Sequence, residues 1–300
     1  MSEIFNWLKQ TEGGRTRTLS ETLVDTVNPD PSETASELHP SEAHKSDPFV
    51  PVEQPAGATA LRSSFRFDLQ SADVRVKNAL DPLTIVGEQY RLLRAKLSLI
   101  QKQRGIKKLL VTSTLAQEGK TFTASCLAGV LAQEPSKRVL LIDADLRRGN
   151  ALRTLGLNGQ PKFDGLYQVL RGDVSAEDAL LSSKNLDFYF LPAGSMAPNP
   201  AELLSSPNLE NTLSNLAQWF DWVVVDSPPI LGLADGCVLA SLCDATVLVV
   251  QANKTPAKLV KDAIHRLGRD RICGVVINRH QHLHSSHYLY QHSHLGNGDK

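Results

Sequence analysis

From about residue 83 the chain alternates between two hydrophobic periods. Residues 84–104 (TIVGEQYRLLRAKLSLIQKQR) repeat their apolar positions at helical spacing. Short apolar runs then recur: KKLLVTS at 107–113, RVLLID at 138–143, LDFYFLP at 186–192, WVVVD at 222–226, ATVLVV at 245–250 and ICGVVIN at 272–278. Runs without a polar face suit strands buried on both sides in a parallel sheet. Helical stretches lie between them, one opening at Lys120 and others around 207–219, 233–242 and 256–268. Strand and helix in alternation predict an α/β fold, a mostly parallel central sheet with helices on both faces.

The flanks read differently. Residues 12–82 are rich in Ser, Thr, Glu, Asp and Pro and poor in large apolar residues, so they bury too little to offset chain entropy and read as a disordered linker. Within residues 1–11, Ile4, Phe5 and Leu8 share one helical face, with Trp7 beside them and Ser2 available as a cap. So short an amphipathic helix is marginal alone in water and is expected to dock on something. The folded domain is placed at 83–279, and residues 280–300 form a flexible His- and Tyr-bearing tail.

Composition narrows the function. With 41% apolar residues in 300, the chain can fill one α/β domain plus extensions. Lys and Arg number 32 and so do Asp and Glu, so no basic excess calls for nucleic acid or an anionic membrane surface. Cys126, Cys237, Cys243 and Cys273 lie in apolar segments without CxxC spacing and read as small core residues of a reducing compartment. No apolar run reaches the roughly 18 residues that a membrane span needs. The start, MSEIFNWLKQ, lacks the charged and apolar regions of a secretory signal. A cytoplasmic protein is expected, one that a partner would have to bring to any membrane.

The chemistry centres on Ser113-Thr-Leu-Ala-Gln-Glu-Gly-Lys-Thr121, directly after one strand and opening a helix. That is the context of a phosphate loop, where backbone N–H groups and a helix N-terminus face an anion. Lys120 suits the β/γ-phosphates and Thr121 suits Mg²⁺. The first glycine of the usual G-x-x-x-x-G-K-[ST] pattern is replaced by Thr114. The next strand ends in Asp143 and Asp145 with Arg147 beyond, and WVVVDSPP places Asp226 at the end of another. Carboxylates at the C-terminal edge of a parallel sheet lie where such sheets bind ligands, fit to organise Mg²⁺ or accept a proton.

Together these residues resemble the bacterial tyrosine kinases of polysaccharide export, over roughly residues 83–290. The resemblance rests on SxxxxEGKT at 113–121, DxDxR at 143–147 and DSPP at 226–229. It is supported by Glu88, Arg91 and Arg94 in an E-x-x-R-x-x-R helix, by Gly165–Leu166, by LPAGSMAPNPAELLSS and by Asp235. Partition and septum-site ATPases share the sheet but carry a second loop lysine where this chain has Leu115.

The resemblance implies a P-loop NTPase fold, ATP and Mg²⁺ as cofactors, and autophosphorylation of the tail at Tyr288 and Tyr290. It implies a nucleotide site of Ser113, Gln117, Glu118, Gly119, Lys120, Thr121, Phe122 and Asn278. Thr121, Asp143 and Asp226 would hold the metal, and Lys120, Asp143, Asp145 and Arg147 would carry catalysis. Glu88, Arg91 and Arg94 would build a homo-oligomeric ring, although their spacing also fits an ion-paired exposed face. The implied partner is a transmembrane chain-length-determinant protein, and the implied role is control of exopolysaccharide production. Rival readings are an ATPase switch without tyrosine phosphorylation and a scaffold. Tyr90, Tyr167 and Tyr189 read as packing residues. His280, His282, His284, His287, His292 and His294 leave transition-metal binding open, with a solvated tail as the alternative.

Overall fold

A computed structural model describes residues 65–158 and 162–280. Eight strands form one sheet: β1 Phe65–Phe67, β2 Lys108–Ser113, β3 Val139–Asp143, β4 Leu181–Ser183, β5 Phe188–Leu191, β6 Trp222–Asp226, β7 Ala245–Gln251 and β8 Ile272–Asn278. Their order is β1-β4-β5-β3-β6-β2-β7-β8, and every neighbouring pair is parallel except β4–β5. β3 and β6 are buried at every position, as their unbroken apolar runs require.

The helices are α1 Val74–Leu80, α2 Ile85–Arg104, α3 Lys120–Leu131, α4 Ala151–Thr154, α5 Leu166–Arg171, α6 Pro200–Leu204, α7 Pro207–Trp219, α8 Asp235–Leu242 and α9 Ala257–Leu267. α1, α2 and α4 pack on α3, while α5 to α9 make a second contacting set, so both faces of the sheet are covered. α3 is buried from Thr123 to Leu131 because small residues let it lie close to the sheet and to α1. α9 instead buries one stripe, Val260, Ala263, Ile264 and Leu267.

Thr84 starts α2 by accepting the Gly87 N–H at 2.9 Å. Gly105 ends it in the left-handed region, φ 66°.

One boundary differs from the sequence reading. Residues 65–82, assigned to the linker, belong to the fold. Phe65–Phe67 adds β1 beside β4, with Phe67 packed edge-on to Phe188 at 5.8 Å. Val76 and Ala79 of α1 are then buried with Cys126 of α3. Residues 1–64 lie outside the described part, including the expected docking helix with Ser2, Ile4, Phe5, Trp7 and Leu8. Residues 281–300 lie outside it too, and with them Tyr288, Tyr290 and all the tail histidines but His280. Among the described residues no helix is long and apolar enough to cross a membrane.

Candidate active site

β2 delivers Ser113 to the C-terminal edge of the sheet, where its hydroxyl donates to the Leu115 carbonyl at 2.6 Å. The loop then uses two left-handed residues, Gln117 at φ 67° and Gly119 at φ 98°. Gly119 is needed twice over: its φ disfavours a side chain, and a Cβ there would run into the Asn278 amide. Asn278, the last residue of β8, donates to the Glu118 carbonyl at 2.8 Å. The loop thus ends in α3, whose first-turn N–H groups at Lys120, Thr121 and Phe122 lack helical acceptors and suit an anion.

The acids come from register. Asp143 and Asp226 are directly paired across β3 and β6, and Asp226 also aligns with Val111 of β2. Both are buried. Asp143 accepts the N–H groups of Asp145 (3.2 Å) and Ala151 (3.0 Å). Asp145 accepts the Lys120 amine at 2.9 Å and the Arg148 N–H at 3.1 Å. Lys120 Nζ lies 3.9 Å from Asp226 Oδ1. Neither oxygen of Asp226 accepts a hydrogen bond.

Burial, and then the charge of Asp226, push the Asp143 carboxyl well above its ordinary range. Burial raises Asp226 as well, against the pull of Lys120 and Thr121. Burial also works against the charge on Lys120, but Asp226 and Asp145 outweigh it and hold the ammonium firmly protonated. Uncommitted oxygens on a buried carboxylate beside a threonine hydroxyl fit a hard divalent cation that draws its other ligands from phosphate and water. Among the described residues no group of three or more His, Cys, Asp or Glu makes a protein-only metal cage.

Two predicted residues turn elsewhere. Arg147 pairs with Asp235 at the start of α8, Nε to Oδ2 at 2.7 Å and Nη2 to Oδ1 at 3.3 Å. The pair fastens the loop after β3 to the segment after β6. The Phe122 ring lies under the Arg75 guanidinium, 5.1 Å from its centroid, and packs beside Val76, Ala79 and Cys126. Only its backbone N–H remains for a phosphate.

Glu88 and Arg91 form an ion pair, Arg91 also reaches the Pro82 carbonyl at 2.8 Å, and Arg94 donates to the Val130 carbonyl at 3.0 Å. All three therefore sit on the α2 side of the fold. The Gly165–Leu166 element and the segment before α6 act together: Leu166 and Tyr167 donate to Pro192 and Ala193, and Ala197 to Leu146. This brings the 192–199 segment against the loop after β3. Sequence reading missed Thr255, whose hydroxyl donates to Glu118.

Residues 117–267 match the AAA domain family. "Tyrosine-protein kinase YwqD" of Bacillus subtilis is 34% identical over 212 residues, covering 70% of this chain and 88% of that protein. The chain belongs to the bacterial tyrosine-protein kinase family. A second member, "Tyrosine-protein kinase wzc" of Salmonella typhi, is 30% identical over 200 residues, which are 66% of this chain but only 27% of that longer protein. Among solved bacterial tyrosine kinases, the BceF tyrosine kinase domain superposes with a TM-score of 0.60 at 31% identity, covering 67% of this chain and 81% of that one. The kinase domain of Escherichia coli ETK gives 0.60 at 30% identity, covering 69% and 82%.

Proposed function

We propose that this family member transfers the γ-phosphate of ATP to Tyr288 and Tyr290 of its own tail, between subunits, and thereby regulates exopolysaccharide polymerisation and export. The observation that carries the reading is the buried, uncommitted carboxylate of Asp226 beside Lys120 and Thr121 at the mouth of the phosphate loop. Thr121 and Asp226, with Asp143 behind them, would hold Mg²⁺, which when bound neutralises charge on the β- and γ-phosphates.

The chain's own groups supply the rest. The loop N–H groups and Lys120 bind the phosphates. Lys120 leaves Asp145 when it does so, and that releases a carboxylate oxygen which Lys120 alone was holding. Both Asp143 oxygens stay tied to backbone N–H groups, so Asp145 is the better placed base. The tyrosine oxygen attacks the γ-phosphorus, its proton passes to Asp145, and ADP leaves. Arg147 acts through Asp235, holding the loop that carries both aspartates.

The work is cytoplasmic, at the inner face of the plasma membrane, with a transmembrane chain-length-determinant protein as activator and residues 1–11 as the docking element. Self-assembly uses α2. Its side chains Ile85, Leu92 and Leu99, seven residues apart, are 36%, 50% and 56% exposed and form one apolar line beside Glu88 and Arg91.

The test mixes two inactive-in-part chains. Lys120→Ala keeps its tail and Tyr288→Phe/Tyr290→Phe keeps its site; with Mg-ATP, phosphotyrosine should appear on the Lys120→Ala chain. Its absence, when wild-type protein labels itself, would rule out transfer between subunits.

A further inference from the structure

We infer that Thr255 is a positioning residue for nucleotide: through the buried Glu118 carboxylate, its hydroxyl holds the phosphate loop in its binding shape. The inference rests on the nucleotide-binding reading of this loop.

Glu118 lies in the middle of the loop, one residue before Gly119, yet it is only 2% exposed. A carboxylate turned toward ATP would repel the phosphates. This one is committed inward on both oxygens. Oε2 accepts the Leu115 N–H at 2.8 Å, closing the loop on its own beginning. Oε1 accepts the Thr255 hydroxyl, from a residue 137 positions away.

Thr255 is itself fixed, since its N–H donates to the Gln251 carbonyl at 3.2 Å at the end of β7. Asn278 grips the Glu118 carbonyl from the end of β8. The loop is thus held from two strand ends, one tie on the side chain of Glu118 and one on its backbone.

Such ties have work to do. Gln117 is a non-glycine residue in the left-handed region at φ 67°, a conformation that costs on the order of 1 kcal/mol and persists only where neighbours enforce it. Release of Oε1 leaves a buried carboxylate oxygen without a donor, and the loop must reopen to hydrate it. Loop N–H groups that have lost their common aim bind phosphate less well. None of this requires Thr255 to touch the nucleotide.

The experiment uses the full chain and measures Mg-ADP binding by calorimetry and the KM for ATP, alongside the melting temperature without nucleotide. Thr255→Val should weaken Mg-ADP at least about tenfold, the lower end of the worth of a hydrogen bond to a charged group. It should raise KM for ATP by a similar factor with a smaller change in kcat. Thr255→Ser keeps the donor and should restore binding to within about twofold of wild type. Glu118→Ala removes the acceptors for both donors and should weaken binding at least as much as Thr255→Val does.

Wild-type affinity in Thr255→Val overturns the inference, and so does a Thr255→Ser protein as weak as the valine variant. If Thr255→Val does not fold, Thr255→Ser and Glu118→Ala decide by the same measurements. A wild-type protein that binds no Mg-ADP overturns the nucleotide reading itself and this inference with it.

Discussion

Lys120 stands among carboxylates that burial would rather leave neutral, and that imbalance yields predictions of opposite sign. Lys120→Met removes the cation and leaves Asp145 and Asp226 buried without it. Stability without nucleotide should fall by about 3 kcal/mol, read from the urea midpoint. Asp226→Asn should do the reverse. A carboxyl whose pKa is raised by folding is destabilising once it is ionised. The variant should gain about 1 kcal/mol while its phosphotyrosine signal drops at least about 100-fold. Loss of both stability and activity would mean that Asp226 is built in as a structural acceptor.

The loop and its acids were legible in the sequence because their spacing and strand context are distinctive. Thr255 was not, since a lone threonine in a connecting loop carries no period. The partner of Arg147 was equally hidden. Asp235 was noted for its place after Asp226, but nothing local joins two residues 88 positions apart.

The strongly periodic elements were the readable ones. The sequence placed a helix at 207–219, where α7 lies, and the long α2 within one residue of its start. The segment 65–82 was lost because its neighbours are polar and its helix buries small residues. Phe65, Phe67 and Leu69 alternate as a strand should, but Ala72, Val76 and Ala79 bring little hydrophobic contrast to a helical period. Its helix depends on a cap. Asp73 accepts the Arg75 N–H at 2.9 Å and pairs with the Arg75 guanidinium at 2.8 Å. These bonds hold its carboxyl near a pKa of about 2, against an ordinary 3.8.

A depressed pKa means that the ionised form stabilises the fold. The contribution is complete above the ordinary value and lost as pH falls through about 2. Asp73→Ala should therefore cost about 1 kcal/mol at neutral pH, and its deficit against wild type should shrink on acidification. Urea titrations across that range test this. A deficit independent of pH would assign the effect to packing.

Assembly and transfer belong to the whole molecule. Glu88, Arg91 and Arg94 already have partners within the chain, so the exposed apolar line of Ile85, Leu92 and Leu99 is the better candidate for the subunit contact. Leu92→Glu should shift the mass measured by light scattering toward the monomer. It should change the melting temperature little, because Leu92 is half exposed. An unchanged oligomer would move the interface elsewhere. The central claim concerns where the phosphate goes. Mass-spectrometric mapping of the intact chain after incubation with Mg-ATP tests it most directly. Phosphate is expected on Tyr288 and Tyr290, with none in Lys120→Ala and almost none in Tyr288→Phe/Tyr290→Phe. Phosphate confined to other residues, or ATP bound and hydrolysed with no tyrosine labelled, would contradict it.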